Sequence, residues 1–177
     1  MIKRLHHAAY RCSDSERTRA FYEDFLGLPL VHTLELAETK TGSRTTALHT
    51  FFALDDGSCL AFFEAPERPF EFKAQGDLDL HIALEVSRED LLSMHEKGKQ
   101  QGIETRGISH HGFIESVYFR DPDGYVVELT APCDNHAEAM DPSQNGARAT
   151  LESWQRSKAR APASRGHAAG LSDAAQR

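Results

Sequence analysis

The chain has 177 residues, 40% hydrophobic and 27% charged, with a formal net charge of −7. That composition suits one ordinary soluble domain with an appendage, long enough to bury a core without disulfides or a structural metal. The negative charge argues against nucleic acid or an anionic membrane as partner, and no run approaches the roughly 18 apolar residues of a membrane span.

In chain order, a strand is expected over residues 4–12, beginning directly after the first few residues with no apolar leader or cleavage site. Ser13 and Glu16 form a capping-box pattern. Ala20, Phe21, Phe25 and Leu26 then make the apolar stripe of a helix that stops at Gly27. Residues 35–47 are polar and turn-rich and are expected to form a loop at the mouth of the first half. Asp55-Asp56-Gly57 is a hairpin turn leading into an apolar strand that ends at Ala65-Pro66. Residues 66–78 read as a linker.

The same order then repeats. A strand runs to Val86, and Ser87 is an N-cap. A helix carries Leu91, Leu92, Met94 and His95 and ends near Gly102. Further strands meet at the Asp121-Pro122-Asp123-Gly124 turn, and the last ends at Ala131-Pro132. The repeat puts Leu5–Tyr10 on Asp79–Leu84, and so His7 on His81. The fold expected is therefore α+β. Two βαβββ modules, about 1–66 and 77–132, form a cupped, barrel-like mixed sheet within a domain of residues 1–132. A helical extension over 133–160 follows, its helix carrying Ala147, Leu151 and Trp154. A tail over 161–177, rich in Ala, Ser, Gly and Arg, is expected to be disordered. Cys12, Cys59 and Cys133 are scattered, odd in number and without CxxC spacing, and read as reduced thiols of a cytoplasmic protein.

Strand alternation singles out the chemistry. Leu80, Ile82, Leu84 and Val86 share one face and should pack on a helix, leaving His81 on the other. Tyr125, Val127, Leu129 and Ala131 are likewise opposed to Val126, Glu128 and Thr130, and Val117 and Phe119 to Ser116 and Tyr118. A carboxylate inside Tyr-Val-Val-Glu-Leu-Thr carries a burial cost unless a positive charge meets it. Two imidazoles and one carboxylate suit a divalent transition metal and leave positions open. Singly, each residue reads as an ordinary strand side chain; together, in the repeat, His7, His81 and Glu128 are candidate ligands of one ion.

The motifs Leu-His-His-Ala-Ala-Tyr-Arg-Cys-Ser-Asp, Phe-Tyr-Glu-Asp-Phe-Leu-Gly-Leu, Leu-His-Ile-Ala-Leu-Glu-Val and Asp-Pro-Asp-Gly-Tyr-Val-Val-Glu-Leu resemble the vicinal oxygen chelate superfamily. That group includes glyoxalase I, extradiol ring-cleavage dioxygenases, fosfomycin-resistance transferases and bleomycin-resistance proteins. The resemblance covers residues 1–132 and implies that His7, His81 and Glu128 are the metal ligands. Some glyoxalase-like members have a fourth ligand in module one. The repeat places it at Phe62 or at Ala61, according to which anchor is used, and neither side chain is a ligand. Glu64, two residues beyond Phe62, would share that residue's face and could line the cup.

The resemblance to ring-cleavage dioxygenases also implies a Tyr ten residues before the ligand Glu, met by Tyr118, and a polar or histidine residue in the preceding loop, met by His110 and more closely by His111. A phenol and an imidazole there can bind a catechol oxygen and move its proton. The alternatives are a packed strand aromatic for Tyr118 and a solvated loop for His110 and His111. His49 lies in the cup or on a strand surface; Phe51 and Phe62 line the cup or the core.

These readings imply a metal-dependent enzyme, foremost an Fe(II) extradiol-type dioxygenase for a small catechol-like aromatic. Zn, Mn, Ni or Co remain alternatives, with a glyoxalase-like isomerase or lyase reaction using Glu64 as base or fourth ligand. The third reading is a non-catalytic small-molecule binder of the bleomycin-resistance kind. A homodimer is expected, with modules paired within one chain or exchanged between two, and the helix near Trp154 either sealing a dimer contact or covering the back of the cup.

Overall fold

The computed structural model describes residues 1–38 and 44–160. Within residues 1–134, β1 (His7–Cys12) leads to α1 (Ser15–Arg19), which runs on into a π-helical stretch, Ala20–Phe25. Next come β2 (Leu30–Glu38), β3 (Arg44–Ala53) and β4 (Cys59–Glu64). Then β5 (His81–Glu85), α2 (Arg88–Gln100), β6 (Thr105–His110), β7 (Ile114–Arg120) and β8 (Val126–Pro132) repeat the order. Each module makes one four-stranded mixed sheet, β1-β4-β3-β2 and β5-β8-β7-β6. In each, the first strand runs parallel to the last and the other pairs are antiparallel. The two βαβββ modules thus form cupped sheets that stay open rather than closing into a barrel.

The local chemistry differs from expectation at two places. The cap of α1 is Asp14, whose carboxylate accepts from Arg17 N at 2.8 Å. Ser13 is turned away instead, its backbone N–H and hydroxyl both donating to Asp123 of the other module. Residues 35–47 are mostly strand, since β2 runs to Glu38 and β3 starts at Arg44; only part of the expected loop, 39–43, falls outside the described residues. Glu35 and Thr46 are exposed strand residues, so polarity there reflects exposure, not irregular backbone. Ser87 does cap α2, accepting from Asp90 N at 3.0 Å. Gly124 closes the turn between β7 and β8 at φ +95, where an added Cβ would fall 2.7 Å from Lys73 O.

One core joins the modules. Tyr22, Phe25, Phe52, Leu60 and Phe62 of the first pack with Leu91, Val117, Phe119, Val127 and Leu129 of the second. The Phe25 ring meets Phe119 edge-on at 5.1 Å, and Tyr22 donates to Asp121 Oδ2 at 3.0 Å. These contacts all come from the helix-backed faces of the sheets. Strand alternation puts His7, His81 and Glu128 on the opposite, free faces.

The unit from Asn135 onward holds α3 (His136–Ala139) and α4 (Ala147–Arg160). Leu151 and Trp154 of α4 are exposed. The expected disordered tail, 161–177, lies outside the described residues.

Candidate metal centre

The free face of module two is built on the register of three strands. His81 starts β5; Ala83, two residues on, pairs with Glu128 of β8, and Glu128 pairs with Tyr118 of β7. Alternation turns Val127 and Leu129 into the core and leaves Glu128 on the free face, still only 4% exposed. Its carboxylate is met by His81, with Nε2 and Oε2 3.2 Å apart.

The other ring nitrogen decides what this pair can bind. His81 Nδ1 lies 2.7 Å from the carbonyl oxygen of Asp77. A carbonyl only accepts, so Nδ1 carries a proton and donates it. In the neutral ring, Nε2 then presents a lone pair to a buried carboxylate. Such a pair repels unless a cation enters, either a second proton on the imidazole or a metal ion. Nitrogen and carboxylate donors with an ordered outer partner on the imidazole suit a divalent first-row metal.

Beside Glu128, the Tyr118 hydroxyl lies 2.9 Å from His111 Nε2. Burial and then the Glu128 carboxylate raise the Tyr118 pKa, so the phenol keeps its proton at neutral pH. His110, its sequence neighbour, goes elsewhere: its Nδ1 is 3.2 Å from Glu115, which also accepts from Arg88. The structure thus brings His81, Glu128, Tyr118 and His111 together and leaves His110 out.

His7 lies on the other sheet. Its ring packs edge-on to Phe51 at 5.4 Å and His49 at 6.1 Å. Among the described residues, no three His, Cys, Asp or Glu side chains gather to hold one ion. His49 is buried; its Nδ1 is 3.0 Å from Phe62 O and must donate to it, and its ring stacks on Phe63 at 3.6 Å. Burial lowers the His49 pKa, so the ring is held neutral with Nε2 as an acceptor.

Two expected cup residues are elsewhere. Phe62 is fully buried in the core against Tyr22, at a centroid distance of 4.5 Å. Glu64 shares its face, and Glu64 Oε2 accepts from Ser15 N at 2.7 Å, at the start of α1. The aromatic wall of the module-one free face consists of His7, Phe51, His49, Phe63 and His32. Phe63 was recoverable from strand alternation once the glycine turns were used as anchor; His32 carried no signal.

Asp77 and Arg106 also escape a sequence reading, because they lie in a linker and an edge strand. Arg106 donates to both Asp77 carboxylate oxygens, at 2.8 and 2.7 Å, and holds that carboxyl below its usual range.

The model of the Glyoxalase/Bleomycin resistance protein/Dioxygenase superfamily matches residues 4–129. Glutathione transferase FosA of Serratia marcescens is 30% identical over 129 residues, 73% of this chain and 81% of that one. The candidate ring-cleaving dioxygenase MhqA of Bacillus subtilis is 27% identical over 149 residues; they are 82% of this chain, which spans only 45% of MhqA. Among solved structures, a fosfomycin resistance protein FosX mutant from Listeria monocytogenes, complexed with Mn(II) and 1S,2S-dihydroxypropylphosphonic acid, superposes with a TM-score of 0.58. It is 23% identical, covering 77% of this chain and 98% of that one. The family model spans both repeated modules, from before β1 into β8, and the chain belongs to the Glyoxalase/Bleomycin resistance protein/Dioxygenase superfamily.

Proposed function

We propose that the protein is a metal-dependent oxygenase of the extradiol ring-cleaving type, acting on a small catechol-like aromatic. The observation that carries this reading is the Tyr118–His111 hydrogen bond beside the pair that His81 makes with the buried Glu128. His7, His81 and Glu128 would hold one divalent ion, Fe(II) for this reaction, which when bound supplies adjacent coordination positions for two neighbouring substrate oxygens and for dioxygen. The protein's own groups manage the proton. Tyr118 keeps its hydrogen and can donate it to a substrate oxygen, and His111 is placed to take or return one through the phenol. Phe51 and Phe63 offer an aromatic wall for a ring, and the neutral His49 between them offers an acceptor.

The site is completed by a second copy of the chain. His7 stands on the free face of one sheet and the His81–Glu128 pair on that of the other, and among the described residues of one chain no three such donors gather. Two copies facing each other in a homodimer would set His7 of each against the pair of its partner.

Oxygen uptake by protein reconstituted anaerobically with iron, measured over a panel of catechols, tests the reaction. No uptake by a folded, iron-loaded sample would defeat it. Mixing His7→Ala and Glu128→Ala chains tests the shared site. Each alone should be inactive, and the mixed dimer should regain activity from one intact site; no recovery would place all three ligands within one chain. A glyoxalase-like reaction through Glu64 is less well supported, because that carboxylate is engaged by Ser15 N at the start of α1.

A further inference from the structure

A closed chain of contacts surrounds the metal half-site of module two. His81 donates to the Asp77 carbonyl; the Asp77 carboxylate holds Arg106 by two hydrogen bonds. The Arg106 guanidinium lies over the Tyr118 ring, 5.3 Å from its centre. Tyr118 pairs in register with Glu128, and Glu128 returns to His81. Arg106 is thus in contact with both sides of the site. It pins the linker turn whose carbonyl orients the imidazole, and it backs the phenol that carries the proton.

We infer that the Asp77–Arg106 pair is a positioning unit: it fixes the orientation of His81 for metal binding and the placement of Tyr118 for proton transfer. The inference rests on the metal site proposed above. A stability role is a poor account of this pair. Arg106 and Asp77 side chains are 43% and 38% exposed, and ion pairs that open to water contribute little to folding. The turn has a second anchor in any case. Arg120 of β7 donates to Gln75 O at 3.0 Å, two residues before Asp77, and to Glu104, which also lies 3.8 Å from Arg106; its charge reaches Asp77, but it makes no hydrogen bond to it among the described residues. The geometry of Arg106 is also specific to a guanidinium. A planar fork bonds both carboxylate oxygens while its face stacks on a ring; an ammonium can do one but not both.

The test compares Mn(II) affinity by calorimetry, and kcat and KM for catechol with iron, in Arg106→Gln, Arg106→Lys and Arg120→Gln. Loss of an outer partner of a metal-bound histidine typically costs about 10- to 100-fold in affinity. Arg106→Gln should therefore weaken Mn(II) by about 10-fold or more and lower kcat while KM moves little. Arg106→Lys keeps a charge for Asp77 and should recover metal affinity in part, but not kcat, because Tyr118 loses its planar support. Arg120→Gln should lower the melting temperature without moving Mn(II) affinity. Mn(II) binding by Arg106→Gln within twofold of wild type would overturn the proposal, as would an Arg120→Gln defect equal to it. Wild-type protein that binds no Mn(II) would overturn the metal site and this unit with it. Wild-type protein that binds Mn(II) without turning over catechol would defeat only the reaction, and the affinities would still decide on Arg106.

Discussion

Glu128 of β8 and Ala61 of β4 occupy the same place in the two sheets. Ala83, two residues after His81, pairs with Glu128; Ala9, two residues after His7, pairs with Ala61. One strand further, Tyr118 faces Glu128 and Phe51 faces Ala61. Both modules therefore offer an imidazole, but only module two adds a carboxylate and a phenol. The two modules are asymmetric here: where module two has Glu128 and Tyr118, module one has the apolar Ala61 and Phe51.

Glu128→Gln keeps the shape of the side chain and removes its charge. Divalent-metal affinity should fall by at least about 100-fold, beyond the usual cost of losing an outer partner. Calorimetry with Mn(II) measures this, and thermal melting of the metal-free protein should show no loss of fold.

Tyr118→Phe and His111→Gln each break the same hydrogen bond. Each should lower kcat by roughly 100-fold or more, the usual scale for a positioned proton donor, while metal affinity stays near wild type. The double variant should be little worse than either single one, because the two act as a unit. Additive losses would separate their roles.

Glu64→Gln separates the hydrogen bond to Ser15 N from a metal role. It weakens the acceptor for Ser15 N at the start of α1, so stability should drop by about 1 kcal/mol in urea unfolding. Bound metal per chain should not change.

Asp121 gives the fold a pH dependence. Burial pushes its carboxyl up to about 6, against the hydrogen bonds it accepts from Tyr125 N, Asp123 N and Tyr22. Because the folded pKa lies above the unfolded one, this group's contribution to stability is fully present below about pH 4. It is lost as pH rises to about 6 and is flat beyond. Asp121→Asn keeps the oxygen that accepts from the two backbone N–H groups and cannot ionise. Relative to wild type it should gain roughly 2 kcal/mol between pH 4 and pH 7, read from unfolding at the two pH values.

Gly98→Ala tests the packing of α2 on its sheet. The added methyl would fall on Thr105 Oγ1 and 2.6 Å from the Phe119 ring. The helix-propensity gain of about 1 kcal/mol should be outweighed by overpacking, with a net loss of about 1–2 kcal/mol in unfolding free energy.

Local rules made much of this molecule legible in the chain itself. Two-residue alternation placed Glu128, Tyr118 and His81 on one face and Val127, Phe119 and Ile82 on the other. Ser87 and the Asp-Gly turns marked element ends, and the internal repeat paired His7 with His81. These are properties of short segments, decided by backbone geometry and the cost of exposing apolar side chains. Tertiary structure decided the rest. Strand register chose Ala61 over Phe62 as the counterpart of Glu128, since one residue of shift moves a side chain to the opposite face. Packing of α1 drew Glu64 to a helix terminus and Phe62 into the core. Contacts across long stretches of chain brought Asp77 to Arg106 and both to the His81 and Tyr118 side chains. No spacing in the sequence encodes those distances, because they exist only once two sheets have packed on one core.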